Sequence, residues 1–355
     1  MRVAALSVKP VARGLVPLGV SPARTAGDEP PRYHQTRSPW LLISLLVLLS
    51  VAAGCQGARN GYPEKPVNLI VLDPAGGPTD LVARQLVEAA KPHFPQPLVV
   101  LNRPGGAGII AATEVVRANP DGYTVGLQAV GPMALQPHRN ALPYKMVDDY
   151  RPILKLVNQP LVIATRADSR WQTVRDLLDY AQTNPQKARV GIPGAGTIAQ
   201  LVLDLLQRQA GASFTAVPYG SAGEAVLALL GGEVEAVVVG PPTLAPQVQA
   251  GKVRVLGVCE EGRDPLFPDV PTLREVGYDV TLGGYFFLIA PKGTPDAAAA
   301  ALHDAFKRAL ESEFFRQAAA GMGVVVDYAG PEALRQQLAR DYALFGELVA
   351  QEGQR

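Results

Sequence analysis

A chain of 355 residues can bury a large core and is long enough for two domains. Lys and Arg (33) nearly balance Asp and Glu (32), the formal charge is +1, and aromatic residues make up only 6%. That composition argues against the strongly basic face of a nucleic-acid binder and against a base-stacking platform.

The N-terminus reads as an address. Residues 39–54 form an uncharged, mostly apolar stretch, with Arg32 and Arg37 just ahead of it and Cys55 closing it. Basic flank, apolar core and small-residue exit describe a secretory signal, and the apolar part is short for a membrane span. Ala-Ala-Gly-Cys at 52–55 resembles the bacterial lipobox, in which the Cys is acylated, although Ala52 stands where Leu is usual. The other reading is a plain anchor helix with an incidental Cys. The 38 residues ahead of the apolar core exceed an ordinary basic leader, so Met1 is either a misassigned start or opens a longer one. Residues 1–55 are excluded from the fold on these grounds, and 56–61 read as a short linker. If Cys55 carries lipid, Cys259 stands alone and no internal disulfide forms; at the end of Val-Arg-Val-Leu-Gly-Val it reads as a buried thiol.

From residue 62 onward, short apolar runs alternate with longer amphipathic stretches. Strands are expected at Asn68–Leu72, Leu98–Leu101, Tyr123–Ala129, Leu161–Thr165, Arg189–Ile192, Phe214–Val217, Val234–Val239, Val253–Val258 and Tyr285–Ala290. Helices are expected at Thr79–Ala90, Ile109–Ala118, Thr197–Gln209 and Gly223–Leu230, and a helical tail covers Asp296–Leu310, Glu313–Ala319 and Pro331–Gln351. Strands apolar on both faces, separated by helices, imply an α/β fold with parallel sheets. If Leu161–Thr165 and Tyr285–Ala290 both belong to the first lobe, lobe 1 spans 62–169 plus 284–355 and an inserted lobe 2 spans 170–283. The hinge then lies near 166–170 and 279–284, and ligand sits in the crevice between the lobes.

Three sets of loops offer chemistry. Asp73-Pro-Ala-Gly-Gly-Pro-Thr-Asp80 links a strand to a helix; Gly76 and Gly77 let backbone N–H groups approach a ligand, and Pro78 suits the first helical position. A helix N-terminus seats a carboxylate well. Asp80 would repel a carboxylate unless water or N–H groups intervene, so it is expected to orient the loop, or simply to cap its own helix and pair with Arg84. Gly106–Ala111 and Gly194–Ala199 both match G-x-G-x-x-A, but neither is followed about twenty residues on by a strand ending in Asp or Glu; glycine-rich turns are the simpler reading. Gly194–Thr197 and Tyr219–Gly223 open helices of the second lobe, with the Thr197 and Ser221 hydroxyls as caps or ligand contacts. Catalytic and metal-binding sets are missing: the four histidines are scattered, and no H-E-x-x-H, C-x-x-C, P-loop or G-x-S-x-G occurs. His138 either edges the cleft or lies in an exposed loop.

Six pieces appear in order: Tyr-Pro-Glu-Lys-Pro-Val at 62–67, Pro-Ala-Gly-Gly-Pro-Thr-Asp at 74–80 and Asn-Arg-Pro-Gly-Gly-Ala-Gly at 102–108, then Asn-Pro-Asp-Gly-Tyr-Thr at 119–124, Val-Pro-Tyr-Gly-Ser at 217–221 and Pro-Asp-Val-Pro-Thr at 268–272. Through them the chain resembles the Bug/TctC family, the extracytoplasmic binding receptors of tripartite tricarboxylate transporters. The resemblance implies a periplasmic-binding-protein type 2 fold that holds a small organic carboxylate through backbone groups and waters. It implies a non-enzymatic, cofactor-free monomer whose partner is a two-subunit membrane permease, although many members are encoded without one. The ligand-binding set expected is Ala75, Gly76, Gly77 and Asp80 in the first loop, then Gly131, Gly194, Gly196, Thr197, Tyr219, Gly220 and Ser221. The chain departs from the family at Ala129–Pro132, where Ser or Thr is frequent, at Gln200, where His is frequent, and at Val239-Gly240, where Asp is frequent. Fewer polar side chains then face the cleft, which suits a more apolar or aromatic acid; Tyr285 supplies either an aromatic wall or hinge packing. Two other functions stay open: a sensor lipoprotein that signals to a membrane partner, and an NAD-linked oxidoreductase resting on the two glycine turns.

Overall fold

In the computed structural model, residues 61–145 and 147–352 are described; the leader, its Cys55 and the expected anchor lie outside them. The first sheet collects strands from both ends of the chain. Val67–Val71 (β1) lies between Leu98–Asn102 (β2) and Thr124–Ala129 (β3), both parallel to it. Gly284–Pro291 (β10) runs antiparallel to β3, Tyr150–Gln159 (β4) antiparallel to β10, and Val325–Ala329 (β11) antiparallel to β4. The order is β11-β4-β10-β3-β1-β2. The second sheet has the order β7-β6-β8-β5-β9, from Val162–Arg166 (β5), Ala188–Ile192 (β6), Phe214–Pro218 (β7), Ala236–Val239 (β8) and Val253–Val258 (β9).

Helices cover the faces, as the apolar strands require. Pro78–Ala90 (α1), Asp296–Glu311 (α8) and Glu313–Met322 (α9) close one face of the first sheet over Leu69, Val71, Leu127 and Leu288. Ile109–Arg117 (α2) and the final helix Pro331–Glu352 (α10) flank that lobe as well. A π-helical turn at Gly131–Leu135 leads into the short Gln136–Arg139 (α3). In the second lobe Val174–Thr183 (α4) and Ile198–Ala210 (α5) oppose Ala222–Gly231 (α6) and Pro241–Gln249 (α7). Local signals set the ends: a Thr173/Asp176 capping box starts α4, Ser221 caps α6, and glycines in the left-handed region, Gly211 and Gly232, close α5 and α6.

Two expectations need correction. The strand expected at Leu161–Thr165 belongs to the second sheet, where it lies antiparallel between β8 and β9. Its residues Val162, Ile163 and Ala164 are buried, as an inner strand demands, and so lobe 1 ends near Gln159 and not at 169. The outward crossing is Pro160-Leu161, whereas the return at Gly284 falls where expected. The sheets are also mixed and not wholly parallel, because β5 and β10, the first strand after each crossing, and the edge strand β11 run against their neighbours. Cys259 is fully buried, its N–H donates to the Leu161 carbonyl (2.8 Å), and burial pushes its thiol pKa up, which suits an inert structural thiol.

Candidate ligand-binding cleft

A cavity of about 510 Å³ lies between the lobes. Lobe 1 lines it with Leu72, Asp73, Pro78 and Thr79, with Gly105–Ile109 at the start of α2, with Ala129–Pro132 after β3, and with Gln136, Asn140 and Phe286. Lobe 2 lines it with Pro193–Ala195 and Thr197–Ala199 at the start of α5, with Pro218–Ala222 at the start of α6, and with Gly240. The crossings contribute Gln159, Leu161 and Gly284. The wall is chiefly apolar side chain and exposed backbone, and among the described residues Asp73 is its one formally charged member.

The first loop is wired differently from its reading in sequence. Ala75, Gly76, Gly77 and Asp80 do not line the cavity. Gly76 N–H donates to Asp80 Oδ2 (2.9 Å), Gly77 N–H to the Pro74 carbonyl (2.9 Å), and Thr79 N–H to Asp73 Oδ2 (2.9 Å). The chain's own carboxylates take two of these donors and a backbone carbonyl the third, so none of the three is left for a ligand. Asp80, 1% exposed, also accepts from Arg84 Nε and Asn102 Nδ2, both at 2.9 Å. Burial opposes its charge, but the bonds from Arg84, Gly76 and Asn102 outweigh burial and hold its pKa below the ordinary carboxylate value. Asp73 goes the other way: burial raises its pKa, and the two Thr79 donors offset that only in part. Gly77 is demanded by crowding, since a Cβ there would lie 2.6 Å from Asp73 Cβ.

In lobe 2 the turns also spend their donors, but the first helical N–H groups stay open. Thr197 is the N-cap of α5, and its hydroxyl donates to the Gly194 carbonyl (3.0 Å). Ser221 Oγ accepts from Glu224 N–H (3.2 Å), and Glu224 in turn accepts from Gly220 N–H (3.0 Å). Both hydroxyls thus act locally, Ser221 as a helix cap and Thr197 as a tie to the turn before its helix. The first N–H groups of each helix, Ile198 and Ala199 in α5 and Ala222 and Gly223 in α6, have no intrahelical acceptor, and no other bond among the described residues uses them. Two partial positive poles therefore open onto one cavity.

Of the residues expected at the site, Gly131, Gly194, Thr197, Tyr219, Gly220 and Ser221 line the cavity together. Gly196 sits just behind the lining: its N–H is taken by Gln200 Oε1 (2.7 Å) and its carbonyl accepts from Gln136 Nε2 (2.9 Å). That last bond joins the two lobes across the cleft. Sequence reasoning missed Gln136, Asn140, Gln159 and Phe286, which converge from segments distant in the chain. Gln159 fills the space beside Gly240, where a Cβ would lie 2.3 Å from its Nε2, so polarity absent at 240 arrives from β4. Tyr285 points away from the cavity and donates to Asp341 Oδ2 (2.6 Å), as hinge packing, while its neighbour Phe286 forms the wall. His138 is off the cleft, half-buried against the Tyr342 ring with a ring nitrogen 2.8 Å from the Tyr342 carbonyl.

Two α/β lobes joined by two crossings, with a cavity between them, define a solute-binding protein of the periplasmic type 2 class. The sequence model of the tripartite tricarboxylate transporter family receptor, TctC, matches residues 82–353, and the chain belongs to that family of extracytoplasmic receptors. It is similar to the periplasmic binding protein BugD, with 31% identity, a TM-score of 0.77 and coverage of 82% of this chain and 99% of that one. It is similar to MatC of Rhodopseudomonas palustris, solved with bound malate, at 29% identity and a TM-score of 0.76 over 81% of this chain and all of that one (100%). A further R. palustris protein, solved with adipate, shares 26% identity with a TM-score of 0.78 over 82% of this chain and 98% of that one.

Proposed function

We propose that this solute-binding protein captures a small organic carboxylate by closing its lobes over the cavity. The observation that carries the reading is the pair of helix N-termini at the cavity, where Ile198, Ala199 and Ala222 line the wall with unspent N–H groups and no lysine, arginine or histidine stands among the described lining residues. An anion seated there receives its hydrogen bonds from backbone, and the apolar remainder of the wall takes a carbon chain. The related proteins that hold malate and adipate both hold carboxylates, which supports the same chemistry here. On this reading Gly131, Gly194, Thr197, Tyr219, Gly220 and Ser221 belong to the contact surface. Ala75, Gly76, Gly77 and Asp80 form the scaffold behind it. Pro160-Leu161 and the return at Gly284 act as the hinge, and the Gln136–Gly196 bond is made only in the closed form.

The test is a thermal-shift panel of mono-, di- and tricarboxylates, followed by calorimetry. A carboxylate that binds the native state raises the melting temperature as its concentration passes the dissociation constant. Absence of any response from well-folded protein sinks the reading.

The Ala-Ala-Gly-Cys sequence supports export with lipid attachment at Cys55, and the family supports a membrane permease of two subunits as the recipient of the ligand. Cys55→Ser should release the protein from the membrane fraction; unchanged fractionation would favour a plain anchor helix.

A further inference from the structure

The two walls of the cavity carry opposite polarity. Lobe 2 presents the open N–H groups of α5 and α6, whereas lobe 1 presents an acid, Asp73. One oxygen of that acid is committed: Oδ2 accepts from Thr79 N–H (2.9 Å) and Thr79 Oγ1 (2.7 Å). No described residue donates to Oδ1, and no cationic side chain lies on the cavity wall beside it. Asp73 lines the cavity, and Oδ1 is neither bonded nor among the buried atoms left without a partner, so it is the oxygen open to a ligand. Its position is rigid. The carboxylate is pinned by Thr79 from one side, its Cβ rests over Gly77, and its carbonyl accepts from Asn102 Nδ2 at 2.8 Å. A pinned acceptor without a donor selects for a group that can donate, and it rejects one that brings a second negative charge.

We propose that Asp73 sets the ligand class: a carboxylate bound at one end by the helix N-termini of lobe 2 and carrying a hydrogen-bond donor, a hydroxyl or an ammonium group, toward lobe 1. A dicarboxylate of equal length is the disfavoured competitor, because its second carboxylate faces Oδ1 with no cationic side chain among the described lining residues to offset the repulsion. The inference rests on the carboxylate reading of the same cavity and adds the direction in which the ligand lies.

Matched pairs test it on the full chain by calorimetry: 4-hydroxybutanoate and 4-aminobutanoate against succinate, and 6-hydroxyhexanoate against adipate. The donor-bearing member of a pair should bind about tenfold tighter or more than its dicarboxylate, the discrimination expected of one hydrogen bond to a charged acceptor. In Asp73→Asn, which keeps an oxygen for Thr79, that ratio should collapse toward one or reverse. Dicarboxylates that bind the unaltered protein as tightly as their hydroxy partners, with or without proton uptake, overturn the assignment; so does a ratio unchanged in the variant. The pairs measured on unaltered protein decide the matter even if Asp73→Asn fails to fold. If no carboxylate of any kind binds, the carboxylate reading itself falls and takes this one with it, an outcome distinct from binding without discrimination.

Discussion

The two walls of the cleft are built from the same device, a strand, a glycine-bearing turn and a helix, yet they do different things. After β1, the turn folds its own acids into the helix start: Asp80 takes Gly76 N–H and Asp73 takes Thr79 N–H. After β6 and β7, the turns are closed by Gln200, Ser221 and Glu224, and the first helical N–H groups remain open to the cavity. A glycine-rich turn before a helix is therefore an anion seat only where the chain leaves its donors unspent. Local sequence shows the glycines; which donors are spent depends on where neighbouring carboxylates fold.

The largest effect should come from removing the acid that holds the first turn. Asp80→Ala leaves Gly76 N–H and the Asn102 amide without their acceptor, and should cost about 2–4 kcal/mol of stability in urea unfolding. The pH signature has a definite sign. The folded pKa of Asp80 lies below its ordinary 3.8, so its contribution is complete above that value and is lost as pH falls through the folded pKa. Asp80→Asn should accordingly flatten the acid limb of the stability curve; an unchanged limb would mean that the acid is not the keystone of this turn. Gly77→Ala probes the same wall by crowding, and the 2.6 Å approach to Asp73 Cβ should cost about 1–3 kcal/mol.

Glu260, beside the return crossing, shows what an acid meets when it lacks such donors. Burial pushes its pKa up to about 7, although the Lys155 charge pulls the other way. Its native form therefore holds the proton more tightly than the unfolded chain. Its ionisation costs nothing below the ordinary 4.5, and stability is lost progressively as pH rises from there toward 7. Glu260→Gln should stabilise the protein at pH 8 by about 1 kcal/mol relative to its effect at pH 4, read as a difference in melting temperature. Equal effects at both pH values would remove Glu260 from that contrast.

Much of the architecture was legible because the apolar runs are short and the helices amphipathic: nine expected strands and seven expected helices have counterparts within a few residues. Two strands escaped. β4 is interrupted by Arg151, Pro152, Lys155 and Asn158, and its Lys155 is buried only because Asp327 and the Tyr285 ring receive it. β11, Val-Val-Asp-Tyr-Ala, is a half-exposed edge strand set between two helices, so its few residues read as part of the helical tail. The lobe boundary was misplaced because β5 reads as apolar in either sheet, and only pairing with β8 and β9 decides which. At the site, the turns of lobe 2 were readable as helix starts. Gln136, Gln159 and Phe286 were not, since nothing local marks a side chain whose partner lies tens of residues away.

Ser221→Ala tests whether the lobe 2 wall works through backbone or hydroxyl. Losing an N-cap should cost about 1 kcal/mol of stability. Carboxylate affinity, measured by calorimetry, should hold to within a few-fold, because the open donors are Ala222 and Gly223 N–H and not Ser221 Oγ. A collapse of affinity at unchanged stability would move the contact onto the hydroxyl.

The smallest effect on the unliganded protein should be that of Gln136→Ala, and it is the most telling about how the unequal walls cooperate. Gln136 stands on lobe 1, and its Nε2 donates to the Gly196 carbonyl at the start of α5. Its Oε1 is held in turn by Asn140 Nδ2 (2.7 Å), which fixes the amide orientation. If this bond is made only when the lobes close, its loss leaves the open protein nearly untouched and lowers the fraction that is closed. Apparent affinity then falls in proportion, by about three- to tenfold for one neutral bond worth roughly 1 kcal/mol, with association little changed and dissociation faster. A variant that melts several degrees lower without ligand, yet binds as before, would show instead that the bond welds the lobes permanently. The cleft would then be a fixed pocket, and lobe 2 alone would govern affinity.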